Sequence, residues 1–468
     1  MGNIAANCKE CNSAKEEEQE EIKTSIDGID ETDSIIRDEL IQSKLTFETK
    51  LEKNGKFLKG RKIKDILNSV NPMVNMIEMP ENIINSKKPK TFEEPIIEFH
   101  NGEIYKGHWN TNNQRDGFGV NINPDGEIYI GLWNNDQIGD YGAFFDNEGN
   151  YYKGKLVNGK GNGEGELLLF NKVKYIGNFV DDIPNGKGKM ISLLDGSEYD
   201  GDIVQGKKEG KGILKFKDGT EYEGEFKDDN FNGNGVLKYY NGRKYEGTFK
   251  DGKMDGNGKF TWEDGKIYVG LWNNDQIGDY GAFFDNEGNY YKGKLVNGKG
   301  NGEGELVLSN KVKYIGNFID DIPNGPGKMI NLLDGSEYDG DIVQGKKEGR
   351  GILKFKDGTI YEGEFKDDNF NGNGVLKFFN GRKYEGNFKE GKMDGDGKFT
   401  WEDGKTYIGQ YANDKKHGKG KLMWNDNKYY EGSWVNNKQH GEGMYYLNGK
   451  VLKGQFRFGK IITKNDDN

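Results

Sequence analysis

From about residue 98 onward, large apolar and polar side chains alternate with a period of two, interrupted at regular intervals by glycine-rich punctuation. The stretch beginning at Tyr245, YEGTFKDGKMDGNGKFTWEDGK, is the fullest instance. Tyr245, Gly247 and Phe249 alternate with Glu246, Thr248 and Lys250, which predicts a strand with one packed face. DGKMDG predicts a turn. Gly256, Gly258 and Phe260 then alternate with Asn257, Lys259 and Thr261 as a second strand, and EDGK closes the unit with a tight turn into the next hairpin. Before residue 98 the pattern is different. Residues 12–49 are acidic and polar, with weak helical spacing at Ile22, Ile26, Ile29, Ile36 and Leu40, and read as a flexible spacer with room for one short helix. Lys50 to Leu67 is basic, and suits either a membrane or partner contact or a partly helical linker. Pro72, Pro80, Pro89 and Pro95 predict an extended lead-in, so 12–97 is a linker and the repeated region is 98–468.

A period of 23 or 24 residues organises that region. A Tyr-x-Gly triplet recurs at Tyr105, Tyr129, Tyr152, Tyr175, Tyr199, Tyr222, Tyr245, Tyr268, Tyr291, Tyr314, Tyr338, Tyr361, Tyr384, Tyr407 and Tyr430. The paired glycines are Gly107, Gly131, Gly154, Gly177, Gly201, Gly224, Gly247, Gly270, Gly293, Gly316, Gly340, Gly363, Gly386, Gly409 and Gly432. A degenerate last copy, VLKGQF, has Leu452 in place of the ring. Glycine weakens a strand, so its recurrence at fixed strand positions predicts slots that receive aromatic rings. One hairpin cannot bury its rings alone, so the copies are expected to stack into an all-β, single-layer, twisted antiparallel sheet, a rod on the order of 150 Å long. A longer period overlies the first: 128–266 and 267–405 are tandem duplicates of six repeats that differ at about 13 of 139 positions. Such a duplication lengthens a rod but would break or double a catalytic constellation, which favours a binding or spacing role.

The pattern resembles the MORN repeat (membrane occupation and recognition nexus) over about residues 103–458. That resemblance implies an elongated cytosolic module of the kind found in junctional membrane proteins, ciliary spoke heads, parasite cytoskeletal scaffolds and the N-terminal arms of some plant phosphatidylinositol phosphate kinases. It also implies dimerisation through terminal repeats, and the degenerate copy around Leu452 and Phe456 would form such an end. The family supplies a module and not an activity.

Composition sharpens the picture. A net charge of −11 and 33% hydrophobic residues would suggest a poorly collapsing chain. Yet 68 of the 72 glycines, all 7 Trp, all 25 Tyr and 22 of the 26 Phe lie beyond residue 100, and rings at that density must be buried. The acidic total argues against nucleic acid as a partner. No apolar run approaches the roughly 18 residues of a membrane span and no secretory apolar core is present, so a cytosolic setting is expected.

Ligand-like strings lose their meaning inside the repeat. GDIVQGKK, from Gly201 and again from Gly340, places Lys208 and Lys347 where a phosphate loop needs Ser or Thr, and sits in a hairpin. DDNFNGNGVLKY from Asp228 ends in Tyr239, and its duplicate in Phe378, where a calcium loop needs Glu. GKGNGEG at Gly159 to Gly165 has the glycines every repeat has. His100, His108, His417 and His440 are too scattered for zinc or a triad. No catalytic residue, cofactor or metal is expected. Two departures stand out. Asp140 and Asp279 replace the first glycine of the Gly-x-Gly pair, with Tyr141 and Tyr280 following, which reads either as a local bulge or as a break in the ring stack that offers a partner site. Lys207, Lys208, Lys211, Lys346, Lys347 and Arg350 cluster, and a repeated column of them would suit acidic phospholipid; interleaved glutamates equally suit a solvated mixed-charge face.

The N-terminus, MGNIAANCKEC, carries the strongest functional signal outside the repeats. Removing Met1 exposes Gly2 for myristoylation, although Ala6 stands where Ser or Thr is usual. One myristoyl chain binds membranes at only about 10⁴ M⁻¹, and the following EEEQEE offers no basic second signal, so Cys8 and Cys11 are the natural palmitoylation sites in an acylation motif spanning 1–11. The sequence therefore predicts a membrane-anchored, non-enzymatic scaffold on the cytosolic face of a plasma, ciliary or cortical membrane. The alternatives are a cytoskeletal or ciliary structural rod, or a regulator of a phosphoinositide kinase.

Overall fold

The computed structural model describes residues 96–462 apart from Asn310, with the backbone of Phe92–Glu93 and, further upstream, Met73. Among the described residues the elements are 34 strands in an antiparallel, single-layer sheet. Pairing begins slightly before Glu98: Phe92–Glu93 and Ile97–Glu98 both pair with Ile104–Trp109. It ends with Lys460–Ile461 against Lys450–Arg457. The described chain divides into two compact units, one built from residues up to Glu263 together with Trp272–Gln276, the other from Asp264–Leu271 and Ile277 onward. Each is built from the same hairpin unit.

The strands Lys244–Lys250 and Lys253–Thr261 show that unit. The turn predicted over DGKMDG is shorter than expected. Only Asp251 and Gly252 turn, with φ of 49° and 83°, because a two-residue loop with both φ positive matches the right-handed twist of its strands. Met254, expected in the turn, is instead a fully buried strand residue opposite Phe249. The register slips between Gly247 and Phe249, where Gly256 takes φ 93°, a left-handed value open to glycine at no steric cost.

Register turns the 23-residue period into rows that run across the strands. Tyr222, Leu237, Tyr245 and Phe260 are successive ladder partners, and so are Gly224, Gly235, Gly247 and Gly258. A third row joins Gly233, Phe249 and Met254. Aromatic, glycine and aromatic rows therefore share one face, and the residues between them point to the other.

Candidate binding face

The ring face is used up by packing. Twelve of the repeat tyrosines are among the largest fully buried side chains. Each ring lies along its own strand over the glycine row; a Cβ at Gly258 would stand 2.3 Å from the Tyr245 hydroxyl and 2.4 Å from its Cε2. The hydroxyl donates to the carbonyl three residues on, Tyr245 to Thr248 at 2.9 Å and Tyr361 to Glu364 at 2.8 Å. Tyr222 meets the ring four residues ahead, Phe226, edge to face at 5.1 Å, and meets Phe249 of the next repeat at the same distance. Such pairs contribute about 0.5–1.5 kcal/mol beyond their buried area, so this zigzag is the adhesive between repeats. Burial pushes the Tyr175 and Tyr314 hydroxyls up to about 12, and raises Tyr222, Tyr245 and Tyr361 further.

A second device stitches repeats at the turns. Asp275 N–H donates to Met254 O at 2.9 Å, and Met254 N–H donates back to Asp275 Oδ1 at 2.7 Å. The carboxylate thus completes a ladder rung that the backbone alone would leave open. The same clamp joins Asp136 to Arg115, Asp182 to Gly161, Asp229 to Lys208, Asp321 to Gly300, Asp368 to Lys347 and Asp414 to Met393. The intervening turns carry glycine instead, as at Gly206, Gly252, Gly345 and Gly391, and keep only the backbone bond. Two of those partners are Pro184 and Pro323, which have no N–H to clamp. From Asp136 to Asp414 the sheet therefore has a period of two repeats that sequence reading missed, although the alternation of Asp and Gly at the second turn position is visible in the chain; after Asp414 the next turn is clamped as well, Asn437 to Lys416.

The opposite face is predominantly charged and laced with ion pairs, such as Lys244–Glu246 at 2.8 Å and Lys328–Glu337 at 2.7 Å. The lysine clusters divide across the sheet. Lys208 is buried, its ammonium 4.0 Å from Asp229, and Lys347 lies 3.2 Å from Asp368 and over the Tyr338 ring at 5.8 Å. Lys207 pairs with Asp228 at 2.6 Å and Lys346 with Asp367 at 2.8 Å. Lys211, Lys346 and Arg350 are exposed. The position of Lys208 is taken by Arg115 in the first repeat and by Lys416 near the end, each under a set of rings. Arg115 lies 4.0 Å from the Trp133 centroid, and Lys416 within 5.2–5.5 Å of Trp401, Tyr407 and Trp434. Burial, assisted by Lys405, lowers the Lys416 ammonium below the usual lysine range. Gly2, Cys8 and Cys11 lie outside the described residues.

On the charged face of the first unit, one hairpin carries a buried apolar cluster. Ile130, Leu132, Tyr141, Ala143 and Phe145 form a buried cluster with Ile104, Val120 and Ile122, and Met73 packs against it. Asp140 does not break the ring stack, but its backbone departs from that of the other repeats: the glycine at this place has a positive φ elsewhere, as at Gly163, Gly186 and Gly256, and Asp140 and Asp279 do not. Tyr129 still meets Trp133 edge to face at 5.3 Å, and the register slip between Gly131 and Trp133 is the common one. What distinguishes this hairpin is that IYIGLWN and QIGDYGAFF are apolar on both faces, a signal the sequence carries and the periodic reading passed over.

A single-layer sheet of stacked hairpins, held by a tyrosine and glycine column, defines a repeat protein whose unit is one hairpin. The MORN repeat profile matches eleven stretches: 105–127, 175–192, 199–221, 222–242, 245–267, 314–330, 338–360, 361–381, 384–406, 407–429 and 430–450. The chain belongs to the MORN repeat family. The gaps at 128–174 and 268–313 contain the two hairpins with apolar faces on both sides, which fold as strands all the same. A comparison with curated protein sequences returned no match. Among solved structures, the chain is similar to the TCP domain of SAS-4 from Drosophila melanogaster in complex with a proline-rich motif of Ana2. The identity is 13%, coverage is 43% of this chain and 88% of that one, and the TM-score is 0.21. It is similar also to the TCP10 domain of CPAP from Danio rerio, at 9% identity over 63% and 98% of the two chains with a TM-score of 0.15. A streptogramin B lyase structure matches at 10% identity over 68% and 93%, with a TM-score of 0.10. Likenesses of this size carry no functional argument.

Proposed function

We propose that this MORN-repeat chain is a non-catalytic scaffold held by N-terminal acyl groups at the cytosolic face of a membrane, with its sheet presented to protein partners. The observation that carries the scaffold reading is the division of labour between faces. Rings and phenolic hydroxyls are consumed in joining repeats, and the opposite face offers charged rows and apolar patches for contact. Gly2 is the myristate acceptor and Cys8 and Cys11 take palmitate, since one acyl chain alone anchors only marginally. Acidic phospholipid is a secondary contact made through Lys211 and Arg350, exposed members of the lysine clusters, while the equally exposed Lys346 is paired with Asp367. Labelling cells with clickable myristate and palmitate tests the anchor. Myristate is expected to disappear from Gly2→Ala and palmitate from Cys8→Ser/Cys11→Ser; wild type taking up neither label would refute it and make the cytoskeletal rod the better reading.

A further inference from the structure

Arg115, Lys208, Lys347 and Lys416 occupy one place in the hairpin, the ladder partner of the residue four after the repeat tyrosine. Each gives its backbone N–H to the clamp in the turn 21 residues on. In three of the four that clamp is an aspartate, and its carboxylate also faces the cation. Asp136 lies 3.3 Å from Arg115, Asp229 4.0 Å from Lys208 and Asp368 3.2 Å from Lys347. The fourth clamp is Asn437, which accepts the Lys416 N–H at 2.8 Å and brings no charge. Among the described residues no carboxylate stands within ion-pair distance of the Lys416 ammonium.

Three rings stand where the counter-ion is missing, Trp401 at 5.2 Å and Tyr407 and Trp434 at 5.5 Å. A second ammonium shares the setting. Lys405 lies 4.6 Å from the Trp401 centroid, whereas Lys266, its counterpart in the first duplicate, pairs with Asp264 at 3.0 Å. An amine withdrawn from water and set beside another cation is shifted toward its neutral, nucleophilic form. Ring faces attract a cation, but more weakly than the carboxylate they replace, and burial together with Lys405 sets the Lys416 ammonium below the usual lysine range. The other titratable groups facing it, the Tyr407 and Tyr411 phenols, are raised by burial beyond the range in which a lysine titrates.

We infer that Lys416 is a nucleophilic amine and an acceptor of short acyl groups from thioesters. The Nζ lone pair adds to the thioester carbonyl carbon, the C–N bond forms, the C–S bond breaks with the thiol leaving as thiolate, and the proton lost by nitrogen passes to solvent. The thioester is the sole co-reactant. The product is a neutral amide, which removes the cation that lacks a counter-ion and sets an apolar acyl group beside Trp401, Tyr407 and Trp434. This goes beyond the scaffold reading, and it is independent of the N-terminal anchor, whose acceptors are a glycine amine and two thiols.

The probe is isotopically labelled acetyl-coenzyme A, mixed with the full chain for short times at mildly alkaline pH and followed by peptide mass spectrometry. Lys416 is expected to label severalfold faster than Lys347, and faster than its neighbour Lys415, although Lys415 is exposed and Lys416 half-buried. Asn437→Asp supplies the carboxylate that the other clamps have. It should slow Lys416 severalfold and raise the pH at which its rate levels off. Aspartate fills this turn position in other repeats, so the variant should keep its amide protection across Lys415–Asn425. The converse change, Asp368→Asn, gives Lys347 the neutral clamp of Lys416 and should quicken its labelling. Wild type in which Lys416 labels no faster than Lys415, or Asn437→Asp that labels at the wild-type rate, would overturn the proposal. None of these outcomes bears on membrane association.

Discussion

Tyr222 and Gly235 show how closely a single position is set. A Cβ at Gly235 would stand 2.5 Å from the Tyr222 hydroxyl and 2.6 Å from its Cε2, and the ring is pinned above and below by Phe226, Phe231 and Phe249. Gly235→Ala is therefore expected to destabilise its hairpins by about 1–3 kcal/mol through overpacking. Tyr222→Phe, which removes the bond from the hydroxyl to Glu225 O at 2.8 Å and its longer contact with Asn232 O at 3.5 Å, should cost about 1 kcal/mol. A long repeat array does not unfold as one unit, so both are best read as lost amide protection in Glu221–Lys227 and Asn230–Lys238. Equal protection in the alanine variant would contradict the slot reading. The turn clamp makes a finer prediction. Asp275 has φ 66° and accepts from Met254 N–H. Asp275→Gly loses the bond but suits the backbone, whereas Asp275→Ala loses the bond and adds strain. Alanine should therefore be the more destabilising of the two, and the reverse order would contradict the clamp.

At the scale of the hairpin, the tyrosine column predicts a sharp alkaline limit. Each repeat tyrosine whose folded pKa is raised above its unfolded value of about 10 contributes stability that is complete below pH 10 and is lost as pH rises toward the folded value. Tyr175 and Tyr314, at about 12, and the more strongly shifted Tyr222, Tyr245 and Tyr361 all act in the same direction. Phenolate absorbance should thus rise in step with loss of the β-sheet signal above pH 10, and a simple titration centred near 10 with the sheet intact would contradict burial of the column. Much of this was legible in the chain. The alternation around Tyr245, the Gly-x-Gly spacing and the 23-residue period specify strands, ring slots and antiparallel neighbours, because period two maps directly onto a face. Other features were not legible. Met254 read as turn because DGKMDG is polar around it, and only the left-handed pair Asp251–Gly252 shows that two residues suffice to reverse the chain. Lys208 read as a solvated lysine because its burial depends on a clamp to Asp229, 21 residues away, which no local pattern displays.

At the scale of the whole molecule, the six-repeat duplication makes the chain divisible without loss of register. Removing 267–405 joins Lys266 to Thr406, the residue that follows Lys405 at the end of the second duplicate. Stability in such arrays is a sum of repeat and neighbour terms, so the shortened protein should fold, with a β-sheet circular dichroism signal per repeat like that of the full chain. Deleting half a repeat, by contrast, would put polar residues on the ring face and should yield little folded protein. The shortened chain would keep residues 1–266 and lose the second duplicate, so comparing it with the full chain separates anchoring from whatever the second duplicate binds. The central claim, an anchored scaffold, is tested most directly by fractionating cells that express wild type, Gly2→Ala or Cys8→Ser/Cys11→Ser full-length protein and measuring the share in the membrane pellet. Wild type is expected in the pellet, extractable by detergent, and both variants in the soluble fraction. Wild type that stays soluble, or a Gly2→Ala protein that pellets as wild type does, would contradict the account.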